Sequence, residues 1–399
     1  VKEEPMNKKS KKVWWVISVV VIAAAALALW RGAFFLEEEK AQTGEDTELA
    51  EPTLPAAEIP DGALSIVEEG ATPNDDSDDL AAIQGALDRA SKEDKAVYIP
   101  SGTYRLSGIL MVDGVSLLGD GANQSILMST NPENGSIDVE GDGAVLSGFA
   151  HVFEKTVERG NGANDKNSIT VRSATNFKIE NLKIDKSSTA GIFVGYESSK
   201  GTISGNSLQN TGADGIHITN GSTGIVVENN KVQKAGDDTI AVVSYEENSQ
   251  TTQDITIRNN DVGYGSKARG ISVVGGENVT IENNKIQDTE MAGIYISVEK
   301  EWGTRNVKNI VINENTIEHT GTRIAGEHPN ILVYASQGNI DDVKFNGNTI
   351  SDSVHGGIGV WGNGEIGNIY FDANKLENTK GLATNFKSGT IHSEGNIGF

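Results

Sequence analysis

The chain has no cysteine, so disulfides and thiolate metal centres are excluded. Aromatic residues make up 6% of its 399 residues, alongside 46 glycines and many asparagines. That balance fits a succession of tight turns, several needing left-handed backbone. Positive charge is scarce as well: 33 Lys and Arg stand against 56 Asp and Glu, for a net charge of −23. Phosphate binding needs clustered Lys and Arg, so nucleic acid is excluded as a partner. Helical heptads and βαβ alternation are both missing. The histidines His217, His319, His328 and His355 are scattered without metal-ligand spacing, and no cofactor is expected. A calcium ion on surface aspartates is chemically allowed, but no loop motif supports it.

One long apolar run breaks the polar pattern. Lys8, Lys9, Lys11 and Lys12 precede an apolar stretch from Val13 to Trp30, interrupted only by Ser18. At about 1.5 Å per residue it spans roughly 27 Å, close to a bilayer's hydrocarbon core. Positive charge before the run predicts the amino end inside and the remainder outside. The expected organisation is therefore a basic cytoplasmic tail (1–12), a transmembrane signal anchor (13–30), an acidic extracytoplasmic stalk (31–63) and a large domain (64–399). Cleavage after the small-x-small triplet Ala26-Leu27-Ala28, giving a secreted protein, is the alternative.

The domain is repetitive. Ile225-Val226-Val227-Glu228-Asn229-Asn230, Ile255-Thr256-Ile257-Arg258-Asn259-Asn260, Val279-Thr280-Ile281-Glu282-Asn283-Asn284 and Val343-Lys344-Phe345-Asn346-Gly347-Asn348 share one pattern. Each is a short alternating strand closed by Asn. A second strand follows roughly ten residues later, as in Gly215-Ile216-His217-Ile218, Gly270-Ile271-Ser272-Val273 and Gly293-Ile294-Tyr295-Ile296. Alternation marks strands with one buried face, and self-similarity at this period marks a repeat architecture. Both point to an all-β, right-handed parallel β-helix, with asparagines stacked as an amide ladder at one corner. A solenoid end exposes its interior, so a cap is required. Leu80, Ile83, Leu87 and Ala90 form the stripe of a capping helix, after the N-cap candidates in Asp75-Asp76-Ser77-Asp78-Asp79. This helix, followed by Val97-Tyr98-Ile99-Pro100-Ser101-Gly102-Thr103-Tyr104, resembles the opening of the pectate-lyase-like superfamily of β-helices.

The residue just before each second strand reads Ala190, Asp214, Asp238, Arg269, Ala292 and, past an insertion, Asn330. Stacked coils would place these in one outer column, with Asp237 flanking it. Three clustered carboxylates are costly to hold fully ionised. Glycoside hydrolysis uses such a cluster, with one acid protonated and one base ionised. Coils about 5 Å apart bring the groups closer than the roughly 6.5–9.5 Å of a typical inverting site. Side chains must therefore diverge, or Asp237 must supply the wider partner.

Asp214-Gly215-Ile216 followed one coil later by Gly236-Asp237-Asp238-Thr239-Ile240-Ala241 resembles the inverting β-helix glycoside hydrolases, a clan holding polygalacturonases and α-1,3-glucanases of the mycodextranase type. The resemblance implies Asp237 as general acid, with Asp214 and Asp238 activating water. Polygalacturonases continue with Gly-His-Gly and Arg-Ile-Lys. Here Arg269-Gly270-Ile271 and Gly293-Ile294-Tyr295-Ile296 stand instead, which turns the expectation away from polygalacturonate and toward the α-1,3-glucanase type.

The expected partner is a polysaccharide. Candidate substrate contacts are His217, Lys267, Arg269, Tyr295, Trp302, Tyr334 and Trp361, aromatics serving as platforms for sugar rings. Ser297–Arg305 and Thr320–Pro329 are candidate cleft walls, with His151, Glu154 and Glu158 opposite. Two other functions compete: a polyuronate lyase or C5-epimerase built on Arg269, Lys267, His217 and Tyr295, and a non-catalytic glycan-binding surface protein.

Overall fold

Alternating segments that bury every second side chain can close on themselves only by stacking. A computed structural model describes residues 54–160, 165–324 and 326–399. In it the segments form three parallel sheets, one of 14 strands and two of 11, wound as a parallel β-helix. One coil consists of Thr223–Glu228, Lys231–Gln233 and Ile240–Val243. These pair in parallel with Gln253–Arg258, Asp261–Ser266 and Ile271–Val274 of the next coil. Inward positions are aliphatic: Ile225, Val227, Val232, Ile240 and Val242 are fully buried. Each such side chain contributes roughly 1.5–3 kcal/mol relative to exposure.

The expected amide ladder is present. Asn206, Asn230, Asn260, Asn284, Asn315, Asn348 and Asn374 are all buried. Asn260 Nδ2 donates to Asn284 Oδ1 at 2.9 Å and to the Val227 carbonyl at 3.0 Å, and the other coils repeat this. The residue before the ladder is left-handed, with φ of 56° at Asn229 and Asn259. Asn tolerates that region through its short polar side chain, which accounts for the Asn-Asn pairs.

The capping helix spans Leu80–Glu93 and buries Ile83, Ala86, Leu87 and Ala90. Asp79 holds the N-cap position but does not cap the helix. Its carboxylate accepts instead from the backbone N–H of Thr72 and Arg105. Gln84 exchanges two hydrogen bonds with the backbone of Met111, on the edge strand Leu110–Asp113. It thus satisfies groups that would otherwise template another strand.

The tail at 1–12, the anchor at 13–30 and the stalk up to residue 53 lie outside the described residues. Among the described residues no helix is long and apolar enough to cross a membrane. The last part of the expected stalk is not free: Ala57 N–H donates to the Gly119 carbonyl at 3.0 Å, along the outer face of the first sheet.

The sheet that carries the site contains Ile192–Gly195, Ile216–Ile218, Ile240–Val243, Ile271–Val274, Ile294–Val298, Ile331–Ala335 and Gly356–Gly362. Ile192, Ile216, Ile240, Ile271, Ile294 and Ile331 stack in register. The column two residues earlier is therefore Ala190, Asp214, Asp238, Arg269, Ala292 and Pro329. Asn330 belongs one row on, since it accepts from Ile294 N–H as Gly293 accepts from Ile271 N–H. The insertion between Thr320 and Pro329 concealed that one-residue offset.

Candidate active site

Asp214 and Asp238 occupy successive coils of this sheet, and Asp237 precedes Asp238 at the turn. One oxygen from each carboxylate lies within 4.8 Å of the others, so the stacking does hold them close. They are anchored unequally. Asp238 is buried; its Oδ1 accepts from Arg269 N–H at 2.9 Å and Nη1 at 3.4 Å, and its Oδ2 from Ser272 Oγ at 2.6 Å. Asp214 Oδ1 accepts from the backbone N–H of Asp238 at 2.9 Å, while Oδ2 meets His217 Nδ1 at 2.6 Å. The backbone of one acid thus orients the carboxylate of the other.

Asp237 differs. Its side chain is 28% exposed, against 14% for Asp214 and 6% for Asp238. Its carboxylate is met by two long cations, Arg159 Nη1 at 2.6 Å and Arg269 Nη1 at 3.9 Å. Arg159 comes from the loop after the strand Ala150–Phe153.

Arg269 organises the centre. Its guanidinium reaches Glu299 at 3.5 Å and lies 4.6 Å over the Tyr295 ring. Burial works against its charge, but Asp238, Tyr295, Glu299 and Asp237 together hold its pKa above the ordinary value. Burial raises the pKa of Glu299, against the pull of Arg269 and a hydrogen bond from Tyr295 OH at 2.8 Å. It also raises that of Tyr245, whose phenol feels Asp214 and Glu299.

Three converging carboxylates can also hold a cation. Here hydrogen-bond partners among the described residues already meet every one of their oxygens except Asp237 Oδ1: two guanidinium groups, a hydroxyl, an imidazole and two backbone N–H groups. The positive charge a metal would supply is already provided by Arg159 and Arg269. The arrangement suits proton transfer and activation of a water molecule better than metal coordination.

Residues 63–295 match the model of a family described as rhamnogalacturonase A/epimerase, pectate lyase-like. The chain belongs to this pectate-lyase-like family. Residues 245–376 also match a right-handed β-helix region, which gives the hand of the coil. Among solved structures, the Agl-KA catalytic domain is similar at 22% identity and TM-score 0.69, over 86% of this chain and 70% of that one. The catalytic unit of a GH87 α-1,3-glucanase from Streptomyces thermodiastaticus follows at 19% identity and TM-score 0.67, over 88% and 71%. The A-module of the mannuronan C-5 epimerase AlgE6 from Azotobacter vinelandii has 17% identity and TM-score 0.63, over 84% and 98%. These likenesses show the fold. No curated protein sequence matches the chain.

Within this pectate-lyase-like fold the expected substrate contacts separate into groups. His217 stacks on Phe193 with ring centroids 5.5 Å apart and orients Asp214. Arg269 serves the carboxylates. Tyr295 faces outward but is buried, between Arg269 and the His328 ring at 5.6 Å. A ring enclosed in this way is no platform for a sugar. Lys267 is turned away and pairs with Glu290 at 2.9 Å. Trp302 is exposed on the turn Lys300–Trp302, beyond Glu299. Tyr334 and Trp361 are paired in register on neighbouring strands. They flank an apolar outer strip of Val243, Val274 and Leu332.

The opposite wall is also reassigned. His151 is fully buried, with Nδ1 2.7 Å from Ser168 Oγ, and burial pushes its pKa down to about 4. It sits in an inward column between Leu127 and Ile184, so alternation could have revealed it. Glu154 pairs with Arg105. The loop reaches the carboxylates through Arg159, which has no periodic signal in the sequence.

Proposed function

We propose that the protein is a polysaccharide hydrolase of the inverting type. Asp237 protonates the leaving glycosidic oxygen, and Asp214 with Asp238 activates the attacking water. The unequal anchoring of the three acids carries this reading. A base must be held and aimed, which the backbone N–H groups, Ser272 and Arg269 accomplish for Asp214 and Asp238. A general acid must reach a leaving group, and Asp237 is the most accessible of the three. The apolar strip toward Trp361 supplies a bed for sugar rings along the solenoid axis. The sequence resemblance and the likeness to GH87 α-1,3-glucanases both favour a neutral glucan-like chain over a protein or nucleic acid.

Asp237→Asn tests the assignment against a panel of polysaccharides, read by release of reducing ends. General acids contribute about 10²–10⁴-fold, so a loss of that size with an unchanged melting profile is expected. Full retained activity would refute the hydrolase reading.

A lyase or epimerase draws support from the two guanidinium groups, which could neutralise a uronate carboxylate. Such a reaction also needs a base. Burial holds the phenols of Tyr245 and Tyr295 above their ordinary pKa, unsuited to deprotonation at neutral pH. Unsaturated products absorbing in the ultraviolet would reverse this ranking.

A further inference from the structure

The Arg269 guanidinium is shared among three carboxyl groups and closes on none of them. Its Nη1 lies 3.4 Å from Asp238 Oδ1 and 3.9 Å from Asp237 Oδ1, and its Nη2 lies 3.5 Å from Glu299 Oε1. A guanidinium paired tightly with one carboxylate sits at about 2.7–2.9 Å. Its Nε is buried with no partner among the described residues. The head is therefore held between two aspartates on one side and Glu299 on the other. Asp237 Oδ1 is the one triad oxygen that no hydrogen bond from the described residues reaches.

Glu299 is not needed to shape its own loop. It follows the strand Ile294–Val298, and the turn after it is closed by other groups. Glu299 N–H donates to Thr304 Oγ1 at 2.7 Å, and Thr304 N–H donates to the Glu299 carbonyl at 3.2 Å. Arg305 N–H donates to the Ser244 carbonyl at 2.8 Å, and its Nε to the Tyr245 carbonyl at 2.9 Å. The Glu299 side chain is only 12% exposed and accepts from Tyr295 OH at 2.8 Å. A buried ion pair adds little to stability, because desolvation offsets the attraction. Folding alone gives no reason for an acid at this place.

Resting on the hydrolase reading, we infer that Glu299 is a positioning residue that holds Arg269 back from Asp237 and leaves Asp237 Oδ1 open to the leaving group. Glu299 draws Nη2 toward itself, so Nη1 stays within electrostatic reach of both aspartates without taking up that oxygen. Without the Glu299 charge, the guanidinium closes on the acids and Asp237 loses its free oxygen. Burial raises the pKa of Glu299 above 4.5. The titratable groups facing it are Arg269, Tyr295, Asp238, Glu301 and, from the opposite loop, Tyr245. As pH falls, Glu299 takes up a proton and releases Arg269.

Glu299→Gln tests this, since it keeps the shape and the acceptor for Tyr295 OH while removing the charge. With a polysaccharide cleaved by the full chain, kcat at neutral pH should fall about tenfold, as expected for loss of a bond between charged groups, and KM should stay within about twofold. The ratio of wild-type to variant kcat/KM should shrink to about half or less as pH is lowered to 4.5, where Glu299 of the wild type is itself mostly protonated. Unchanged activity, or an equal deficit at every pH, overturns the inference; lost packing alone would give the second result. Urea midpoints read the contact without turnover. The costs of Glu299→Gln and Arg269→Gln (Arg269→Lys if that variant does not fold) should depart from additivity by about twofold or more in the unfolding constant. Additive costs also overturn the inference. The hydrolase reading is judged apart. A large loss in Asp237→Asn beside full activity in Glu299→Gln keeps the hydrolase and removes this role, whereas no cleavage of any polysaccharide by the wild type removes both.

Discussion

Asn260→Ala tests the amide ladder that sets the coil register and so holds Asp214 beside Asp238. The Asn260 side chain donates to Asn284 Oδ1 and to the Val227 carbonyl, and its Oδ1 accepts from both the backbone N–H and Nδ2 of Asn230. Truncation removes all four bonds. Asn284 Oδ1 keeps the Asn260 backbone N–H, and Asn230 Nδ2 keeps the Ile203 carbonyl. The Asn230 backbone N–H loses its ladder partner while buried. A stranded buried donor costs roughly 1–3 kcal/mol, and each further lost bond contributes about 1 kcal/mol. The expected destabilisation is about 4–6 kcal/mol, exceptionally large for a point substitution. Urea titration followed by circular dichroism measures it, with Asn313→Ala as control. Asn313 accepts one partly buried bond from Asn346 Nδ2, so its loss should cost only about 1 kcal/mol. A cost below about 1 kcal/mol at Asn260, or no greater than at Asn313, would refute the assignment of the ladder as a principal source of stability.

Three further outcomes are expected. Ser272→Ala removes the 2.6 Å bond to Asp238 Oδ2; turnover should fall about tenfold while KM moves little, since a bond to a charged group is worth roughly 1.5–3 kcal/mol. Trp361→Ala should raise KM for long oligosaccharides and leave short ones unaffected, with initial rates across a length series as the readout. His151 is held neutral by burial, its folded pKa near 4 lying below the ordinary value of 6.5. The unfolded chain then binds the extra proton between those values, so stability falls as pH drops from about 6.5 toward 4. His151→Gln should flatten that part of the pH–stability curve, measured by urea midpoints.

The two-residue alternation and the recurring Asn made the coil legible, because both are consequences of a strand with one buried face and a corner with one hydrogen-bonding solution. Register places Asp214, Asp238 and Arg269 in one column, and the strand pairing agrees. The same logic slipped by one residue at Asn330, where an insertion separates the strand from its last periodic landmark. It also missed His151, a polar residue in an inward column otherwise held by Leu127, Ile184 and Leu208. Outward pointing was a poor guide to access. Tyr295 points away from the core yet is enclosed, because Arg269 and the His328 loop cover the outer face there.

Arg159 marks the boundary of sequence reasoning most clearly. It lies 78 residues from Asp237, in a segment with no repeat, so neither spacing nor alternation relates the two. Periodic residues can fix a carboxylate on the solenoid because each coil is held by its neighbours. Arg159 stands outside that lattice, on a loop, with its side chain half exposed. Side chains that reach the acidic column from outside the coils are therefore expected on the least periodic segments, where neither spacing nor alternation reveals them.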